Sequence, residues 1–154
     1  MIISHYLQSR ISRRTVSNIQ NILFSRELQI NHARSYLDSL QRFGIKLGLE
    51  RIRAICTLLN NPQEHYPSIL IGGTNGKGST AAFVSSILQS AGYKTGLFTS
   101  PHLVSPTERI QVDRQHIPPA RMASLINEHK LLAQNHGIDL TYFEFMTSIA
   151  FSYF

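Results

Sequence analysis

A glycine-rich run constrains the fold of this chain more than any other feature of its sequence. The run Gly72–Thr80 reads GGTNGKGST, follows the apolar stretch Ile69–Ile71 and opens a helical pattern over residues 81–88. A strand, a tight glycine loop and a helix N-terminus in this order bind phosphate, because backbone N–H groups and the positive end of the helix dipole converge on one anion. A lysine in such a loop reaches the terminal phosphates, and a hydroxyl ligates the magnesium of a nucleotide. The run predicts a nucleoside triphosphate site.

The run departs from the general phosphate-loop pattern. The pattern G-x-x-x-x-G-K-[ST] requires a glycine at position 71 and a hydroxyl at position 78, where this chain has Ile71 and Gly78. Hydroxyls follow one and two places later, at Ser79 and Thr80. The alternative interpretation is a glycine-rich turn that only joins a strand to a helix. The lysine and hydroxyls favour phosphate binding, because they stand where that chemistry needs them.

Composition limits the class of protein. The chain has 154 residues, of which 42% are hydrophobic and 16% charged, as expected of one soluble globular domain. No apolar run is long enough to cross a bilayer. The single cysteine, Cys56, lies among apolar residues at helical spacing, which predicts a small buried side chain and fits a reducing cytoplasm. Residues 1–30 carry four arginines against one glutamate, which is half of the net charge of +6, and the rest of the chain is only mildly basic. Because no basic stripe alternates with aromatics, nucleic-acid binding is disfavoured.

The chain divides into two parts at about residue 30. Residues 1–29 are rich in arginine and serine and poor in acids, a composition typical of transit peptides. A weak amphipathic helix, a disordered segment and an extension without function also remain open for them. Periodicity and turn residues predict helices at residues 30–43, 49–59, 81–91, 119–136 and 143–154. Buried strands at 68–71 and 94–99 then make a right-handed parallel unit, followed by a hairpin at 109–117 that turns at Asp113. Because only two central strands are visible and the sequence ends on an apolar stretch, we expect a truncated domain.

Several runs together resemble one family, the folylpolyglutamate synthase and dihydrofolate synthase ligases of the Mur ligase superfamily. The matching runs occur in the family's order and are residues 44–52, 73–80, 99–103, 108–112 and 140–145. The resemblance covers about residues 31–154 and does not extend to residues 1–29. It implies an α/β fold: the N-terminal part of a P-loop-containing, parallel-sheet ATPase domain of Mur ligase type over residues 30–154, truncated and with the C-terminal domain absent.

The resemblance also implies an activity. Family members are ATP-dependent carboxylate–amine ligases that use Mg2+, phosphorylate a substrate carboxylate and let the amine of L-glutamate attack the acyl phosphate. The substrate is a folate, dihydropteroate or both. On this basis we expect a cytoplasmic enzyme that is monomeric at full length, with no nucleic-acid or membrane partner, and no activity from this chain alone. Another P-loop enzyme, such as a kinase or a different Mur-type amino-acid ligase, and a non-catalytic nucleotide-binding module remain alternatives.

Site residues follow from the same resemblance. Lys77 and Glu144 are the expected catalytic residues, and Ser100 and Glu144 the expected magnesium ligands. The ATP-binding residues are Gly73, Thr74, Asn75, Gly76, Lys77, Gly78, Ser79 and Thr80. The folate or pteroate substrate is expected to contact Leu47, His102, Thr141 and Phe143. For Phe143 core packing is a competing interpretation, and Glu50 and Arg51 also fit a solvated helix start.

Overall fold

Five helices and three strands make up the part of the chain that the structure describes. The computed structural model describes residues 13–40 and 46–154. The helices are α1 (Arg13–Leu40), α2 (Glu50–Leu58), α3 (Lys77–Ser90), α4 (Pro119–Asn135) and α5 (Tyr142–Tyr153). The strands are β1 (Gly96–Phe98), β2 (Ile110–Val112) and β3 (Gln115–His116), and short 3-10 turns lie at Pro62–Glu64 and Pro106–Arg109. Within these ranges no helix is both long and apolar enough to cross a bilayer.

The hydrophobic core lies where α1, α2, α4 and α5 meet. Each helix contributes residues three or four positions apart, because this spacing places them on one face. Fully buried members include Leu37, Ile55, Leu125, Ile126, Phe145, Met146 and Ile149. The ring of Phe145 meets Tyr36 edge-on at a centroid distance of 5.3 Å. As predicted, Cys56 is buried in this core and forms no disulfide.

The apolar stripe of helix α1 is longer than the part of the helix that packs in the core. Its C-terminal half packs against α4 through a stripe made of Ile30, Ala33, Leu37 and Leu40. The same three-and-four spacing continues towards the N-terminus through the exposed residues Val16, Ile19 and Leu23. The helix therefore crosses the predicted boundary at residue 30, and residues 13–29 are helical. Residues 1–12 and the predicted helix end at residue 43 lie outside the described residues.

The sheet is a three-stranded antiparallel meander in the order β1-β2-β3. Gly96 pairs with Val112 and Phe98 with Ile110, while Gln111 pairs with His116. The predicted hairpin is confirmed, since Asp113 and Arg114 connect β2 to β3 with φ of 49° and 64°. Two positive φ values in a two-residue turn match the right-handed twist of the paired strands.

Two predictions about the sheet are wrong. The segment 68–71 forms no strand, and its side chains Ile69 and Leu70 are 67% and 98% exposed. The predicted parallel unit is also absent from the described residues, because β1 pairs only with β2 and does so antiparallel. An apolar sequence favours a buried strand. A strand also needs neighbouring strands to accept and donate its backbone hydrogen bonds, and the local sequence does not provide them. No described strand pairs with 68–71, and on α3 the apolar side chains of Phe83 and Ile87 are also exposed.

Candidate functional site

The glycine-rich loop turns through two glycines that need a left-handed backbone. Gly73 has a φ of 146° and Gly76 a φ of 74°. Other residues rarely adopt these angles, so glycine is required for the loop to reach the first turn of α3. Gly76 is the N-cap residue, and α3 begins at Lys77. The sequence GTNGK therefore places the loop directly in front of a helix N-terminus.

The N-terminus of α3 lacks the groups that usually satisfy a helix start. No side chain caps it and its first turn holds no acidic residue. The first intrahelical bond runs from the N–H of Thr80 to the carbonyl of Gly76, at 2.9 Å. Among the described residues no acceptor is bonded to the N–H groups of Lys77, Gly78 or Ser79. Free N–H groups and the positive end of the helix dipole give this turn the chemistry that suits an anion.

The ammonium group of Lys77 lies over the same loop. Its Nζ donates to the carbonyl of Gly73 at 2.6 Å and to that of Thr74 at 3.1 Å. Both are neutral acceptors in an exposed loop, and a phosphate oxygen makes a stronger, charge-assisted hydrogen bond. All residues from Gly73 to Thr80 are exposed; residues 73–76 form the loop and residues 77–80 the first turn of α3.

The segment after β1 carries Ser100 and His102. The peptide bond between Ser100 and Pro101 is cis, and the exposed Ser100 makes no hydrogen bond within the described ranges. His102 accepts a hydrogen bond at Nδ1 from Nε of Arg109, at 2.8 Å. The Arg109 guanidinium in turn lies 5.2 Å from the ring centroid of Tyr142, at the start of α5. His102 is thus held by a hydrogen bond from Arg109, and its role in substrate binding stays a prediction.

Glu108 fixes the rest of this segment. Its carboxylate accepts the backbone N–H groups of Leu103, Val104 and Ser105 at 2.8, 2.9 and 2.6 Å. These hydrogen bonds, that of Leu103 foremost, hold the pKa of the Glu108 carboxyl below its usual value. The three N–H groups that face Glu108 are therefore already paired.

A cleft of about 900 Å³ lies between α2, α5 and the segment Lys46–Leu49. Of the predicted substrate residues, Thr141 and Phe143 line the cleft, and so do Lys46 and Gly48 on either side of Leu47. Leu47 itself is 90% exposed and does not line it. Phe143 is 56% exposed, with its ring 5.9 Å from that of Phe98. Because Phe143 is only half covered, its ring is available to stack on a flat heterocycle. His102 is not among the lining residues.

Glu144 also lines the cleft, and protein groups surround its carboxylate. Oε2 accepts hydrogen bonds from the N–H and hydroxyl of Thr141, at 2.9 and 2.8 Å, and from Nε of Arg51, at 3.2 Å. Thr141 Oγ1 accepts the N–H of Glu144 in return, which completes a capping box at the start of α5. Burial acts to raise the pKa of Glu144, but the hydrogen bonds from Thr141 and Arg51 outweigh it and lower the pKa.

These surroundings do not fit a magnesium ligand at Glu144. Oε1, the oxygen without a hydrogen bond, lies 3.1 Å from Nη2 of Arg51. A dication there must displace the guanidinium, since like charges repel strongly in a partly buried site. In residues 13–40 and 46–154 no group of three or more His, Cys, Asp or Glu side chains is placed to hold a metal. No hydrogen bond or ion pair of the described residues joins Glu144 to Ser100 or to the glycine loop. The assignment of Ser100 as a magnesium ligand stays a prediction, whereas the contacts of Glu144 with Arg51 and Thr141 argue against that role for Glu144.

The sequence interpretation missed the partner of Glu144. Arg51 appeared to be part of a solvated helix start, whereas the structure brings it to Glu144 across 93 residues of sequence. No spacing or periodicity links two positions so far apart. The only local indication is charge: Glu144 stands between two phenylalanines, and a carboxylate among apolar residues requires a cation or several donors.

Comparison with known proteins places this geometry in context. No family model matches the chain. The dihydrofolate synthase/folylpolyglutamate synthase of Bacillus subtilis is 40% identical over 126 residues, which is 79% of this chain and 29% of that protein. The dihydrofolate synthetase of Saccharomyces cerevisiae is 41% identical over 110 residues, covering 71% of this chain and 26% of that protein.

The solved structures that resemble this chain are also folylpolyglutamate synthases. A Mycobacterium tuberculosis folylpolyglutamate synthase complexed with ADP has a TM-score of 0.74 at 37% identity, over 84% of this chain and 30% of that one. The Thermotoga maritima folylpolyglutamate synthase gives a TM-score of 0.76 at 35% identity, over 83% and 30%. The described structure is therefore part of a Mur-ligase-type α/β domain with a P-loop. The chain belongs to the folylpolyglutamate synthase and dihydrofolate synthase family. It spans less than a third of the length of these relatives.

Proposed function

We propose that this chain supplies the ATP phosphate loop and one side of the substrate cleft of an ATP-dependent carboxylate–amine ligase. The reaction joins L-glutamate to a folate, to dihydropteroate or to both. One observation carries the proposal: the start of α3 has free N–H groups, no acid and the Lys77 ammonium over it. This arrangement suits a polyanion. Relatives solved with ADP, with AMPPCP and with folate support the choice of ligands.

The chemistry needs ATP because a carboxylate is a poor acyl donor. A carboxylate oxygen of the substrate attacks the γ-phosphorus, and the bond to the ADP oxygen breaks. The resulting acyl phosphate has phosphate as a leaving group. The amine of L-glutamate then attacks the carbonyl carbon and loses a proton, and inorganic phosphate departs with the former carboxylate oxygen. The products are an amide, ADP and phosphate.

The glycine loop serves the first of these steps. Phosphoryl transfer has little covalent chemistry for a protein to perform, so positioning and charge stabilisation account for most of the catalysis. The N–H groups at the start of α3 hold the phosphate oxygens, and Lys77 moves from its two loop carbonyls onto the β- and γ-phosphates. Its charge then offsets the negative charge that develops on the transferred group. Ser79 and Thr80 lie in the first turn of α3, close to the same phosphates in this proposal.

Ser100 is the proposed protein ligand of the magnesium ion that accompanies ATP. Its hydroxyl is exposed and unpaired within the described ranges, and Mg2+ prefers oxygen ligands while it retains several waters. The ion supplies charge that stabilises the transferring phosphoryl group. The carboxylate of Glu144 is already engaged by Arg51 and Thr141, so the ion is not assigned to it.

The cleft between α2 and α5 is the proposed site for the pteridine end of the substrate. Its side walls are largely apolar, with Leu49, Ile52, Phe143 and Phe151 among the lining residues. Thr141 adds a polar edge, and the half-exposed ring of Phe143 offers a stacking surface. The exposed Leu47 lies between the lining residues Lys46 and Gly48 and is proposed to contact the substrate from there. A monomeric full-length enzyme in the cytoplasm completes the proposal.

A chimeric enzyme tests this function. The 154 residues are joined to the rest of the Bacillus subtilis relative, which is 40% identical over the shared part. We expect ADP release only when both L-glutamate and either a reduced folate or dihydropteroate are present. Phe143→Ala should raise KM for the pterin substrate about tenfold, as expected for loss of one stacking surface worth roughly 1.4 kcal/mol, and leave KM for ATP unchanged.

The controls separate the alternatives. The 154-residue chain alone should not turn over ATP. Ile69 and Leu70, which precede the glycine loop, are exposed, and no described strand pairs with them to hold the loop in place. Turnover by the chimera that is indifferent to folates and pteroates contradicts the proposed substrates and favours a kinase or another amino-acid ligase. An equal rise of both KM values in Phe143→Ala contradicts the place given to the cleft.

A further inference from the structure

We propose that Arg51 and Glu144 are a positioning pair that holds the segment Lys46–Leu49 against the N-terminus of α5 and thereby sets the rim of the cleft. The contacts of this pair reach both sides of the cleft. Its consequence for substrate binding rests on the proposed function, whereas the contact itself does not.

Arg51 acts as a bridge because its guanidinium has donors on two sides. Nη2 donates to the carbonyl of Lys46 at 2.9 Å and contacts that of Leu47 at 3.4 Å. Nε donates to Oε2 of Glu144 at 3.2 Å. The planar, fixed fork of arginine suits these simultaneous contacts, and a lysine, with its single point charge, cannot reproduce them.

Glu144 couples this bridge to the start of α5. The same Oε2 that accepts from Arg51 also accepts from the backbone and hydroxyl of Thr141. One carboxylate therefore caps α5 and anchors the arginine that holds residues 46 and 47. The side chains of Arg51 and Glu144 are only 23% and 11% exposed, so solvent screens the pair weakly. Oε1 is buried without a hydrogen bond, and the guanidinium is the charge that compensates it.

A second ion pair supports the same arrangement. Lys46 contacts the carboxylate of Asp139, two residues before the Thr141 cap. A smaller pocket of about 450 Å³, lined by Lys46, Arg51 and Ile138 among others, lies beside it. The Lys46–Asp139 pair is well exposed and contributes little by itself. The arginine bridge therefore carries most of the positioning.

The position of this segment bears on the cleft. Lys46, Gly48 and Leu49 line it, opposite Phe143 and Thr141. If the bridge is broken, the segment is no longer fixed relative to α5, and its lining residues are no longer held at the cleft. We therefore expect weaker binding of the pterin substrate, with the ATP loop unaffected.

Backbone NMR on the 154-residue chain tests the contact without any ligand. In Arg51→Met we expect the 15N order parameters of residues 46–49 to fall from rigid values near 0.85 to below about 0.6, with those of α4 unchanged. Glu144→Gln keeps an acceptor for the Thr141 cap and should produce a similar loss. The double variant should add little to either single change, because both remove the same interaction. Arg53→Met, on the same helix, is the matched control and should leave the segment rigid.

Kinetics of the chimera test the consequence. Arg51→Met should raise KM for the pterin substrate about tenfold, with KM for ATP and kcat unchanged, and Arg51→Lys should restore only part of the affinity. Order parameters that stay rigid in both Arg51→Met and Glu144→Gln overturn the positioning pair whatever the enzyme does. A mobile segment together with unchanged pterin KM overturns its link to the substrate, while a chimera indifferent to folates contradicts the proposed function and leaves the NMR result standing.

Discussion

Replacing Lys77 with alanine is expected to reduce ATP turnover by the chimera by about 100-fold to 1,000-fold, the range found when one preorganised charge-stabilising donor is removed. The lysine is the cation that the structure places over the glycine loop, where its Nζ contacts the carbonyls of Gly73 and Thr74. The phosphate charge that develops during transfer then has only N–H groups to balance it. Initial rates of ADP release at saturating substrates measure the effect.

The fold should survive this change. Lys77 is exposed, and its two hydrogen bonds go to neighbouring loop carbonyls that water can satisfy. We expect the melting temperature to be within about 2 °C of that of the unchanged protein, as is usual for surface substitutions. Lys94→Ala, another exposed lysine that lies outside the loop, is the matched control and should keep full activity. Activity within threefold of the parent in Lys77→Ala removes the lysine from the mechanism.

Acidification is expected to destabilise the chain through His129. This side chain is fully buried, and burial, with the nearby charge of Arg121, lowers its pKa to about 4. In the unfolded chain the pKa is about 6.5, so the unfolded state binds the proton more tightly. Stability is therefore complete above about pH 6.5 and falls as the pH drops towards 4. The expected loss in the free energy of unfolding is roughly 2 kcal/mol between about pH 7.5 and pH 5.

The hydrogen bonds explain why His129 resists protonation. Ser148 Oγ donates to the carbonyl of Phe145 at 2.8 Å, so it must accept from Nδ1 of His129, 2.9 Å away. Nδ1 thus carries the proton of the neutral ring, and the buried Nε2 has no hydrogen-bond partner among the described residues. A second proton on Nε2 adds a buried charge and a donor without an acceptor.

Urea unfolding at several pH values measures this effect. Glu108 and Glu144, whose pKa values are lowered, also lose their stabilising contribution in acid, but at lower pH, so the range between about 6.5 and 4.5 reports mainly on His129. His129→Gln cannot titrate and should show a flatter profile in that range, whatever its stability at neutral pH. A profile as steep in His129→Gln as in the parent assigns the acid sensitivity to another group.

Local patterns predicted the parts of the structure that depend on local interactions. The helices follow from three-and-four spacing, and the hairpin at Asp113 from its turn residues, because both are stabilised by contacts between residues close in sequence. The glycine loop is of the same kind, since its backbone angles and its helix start lie within a few residues.

The remaining features depend on contacts between distant residues. The apolar sequence of 68–71 indicates a buried strand, yet a strand also needs neighbours, and the described residues provide none. Likewise Arg51 and Glu144 lie 93 residues apart, so their pairing appears only when α2 packs beside α5. The same pairing is what makes a positioning role fit Glu144 better than a metal ligand.

The path of a single oxygen atom tests the proposed reaction most directly. The chimera is given a pterin substrate labelled with 18O in its reacting carboxylate, together with ATP and L-glutamate, and the inorganic phosphate is examined by mass spectrometry. An acyl-phosphate ligase transfers one labelled oxygen from the carboxylate into each phosphate that it releases. Unlabelled phosphate formed along with the amide contradicts the acyl-phosphate route, and phosphate that takes its new oxygen from water without amide formation contradicts the ligase itself.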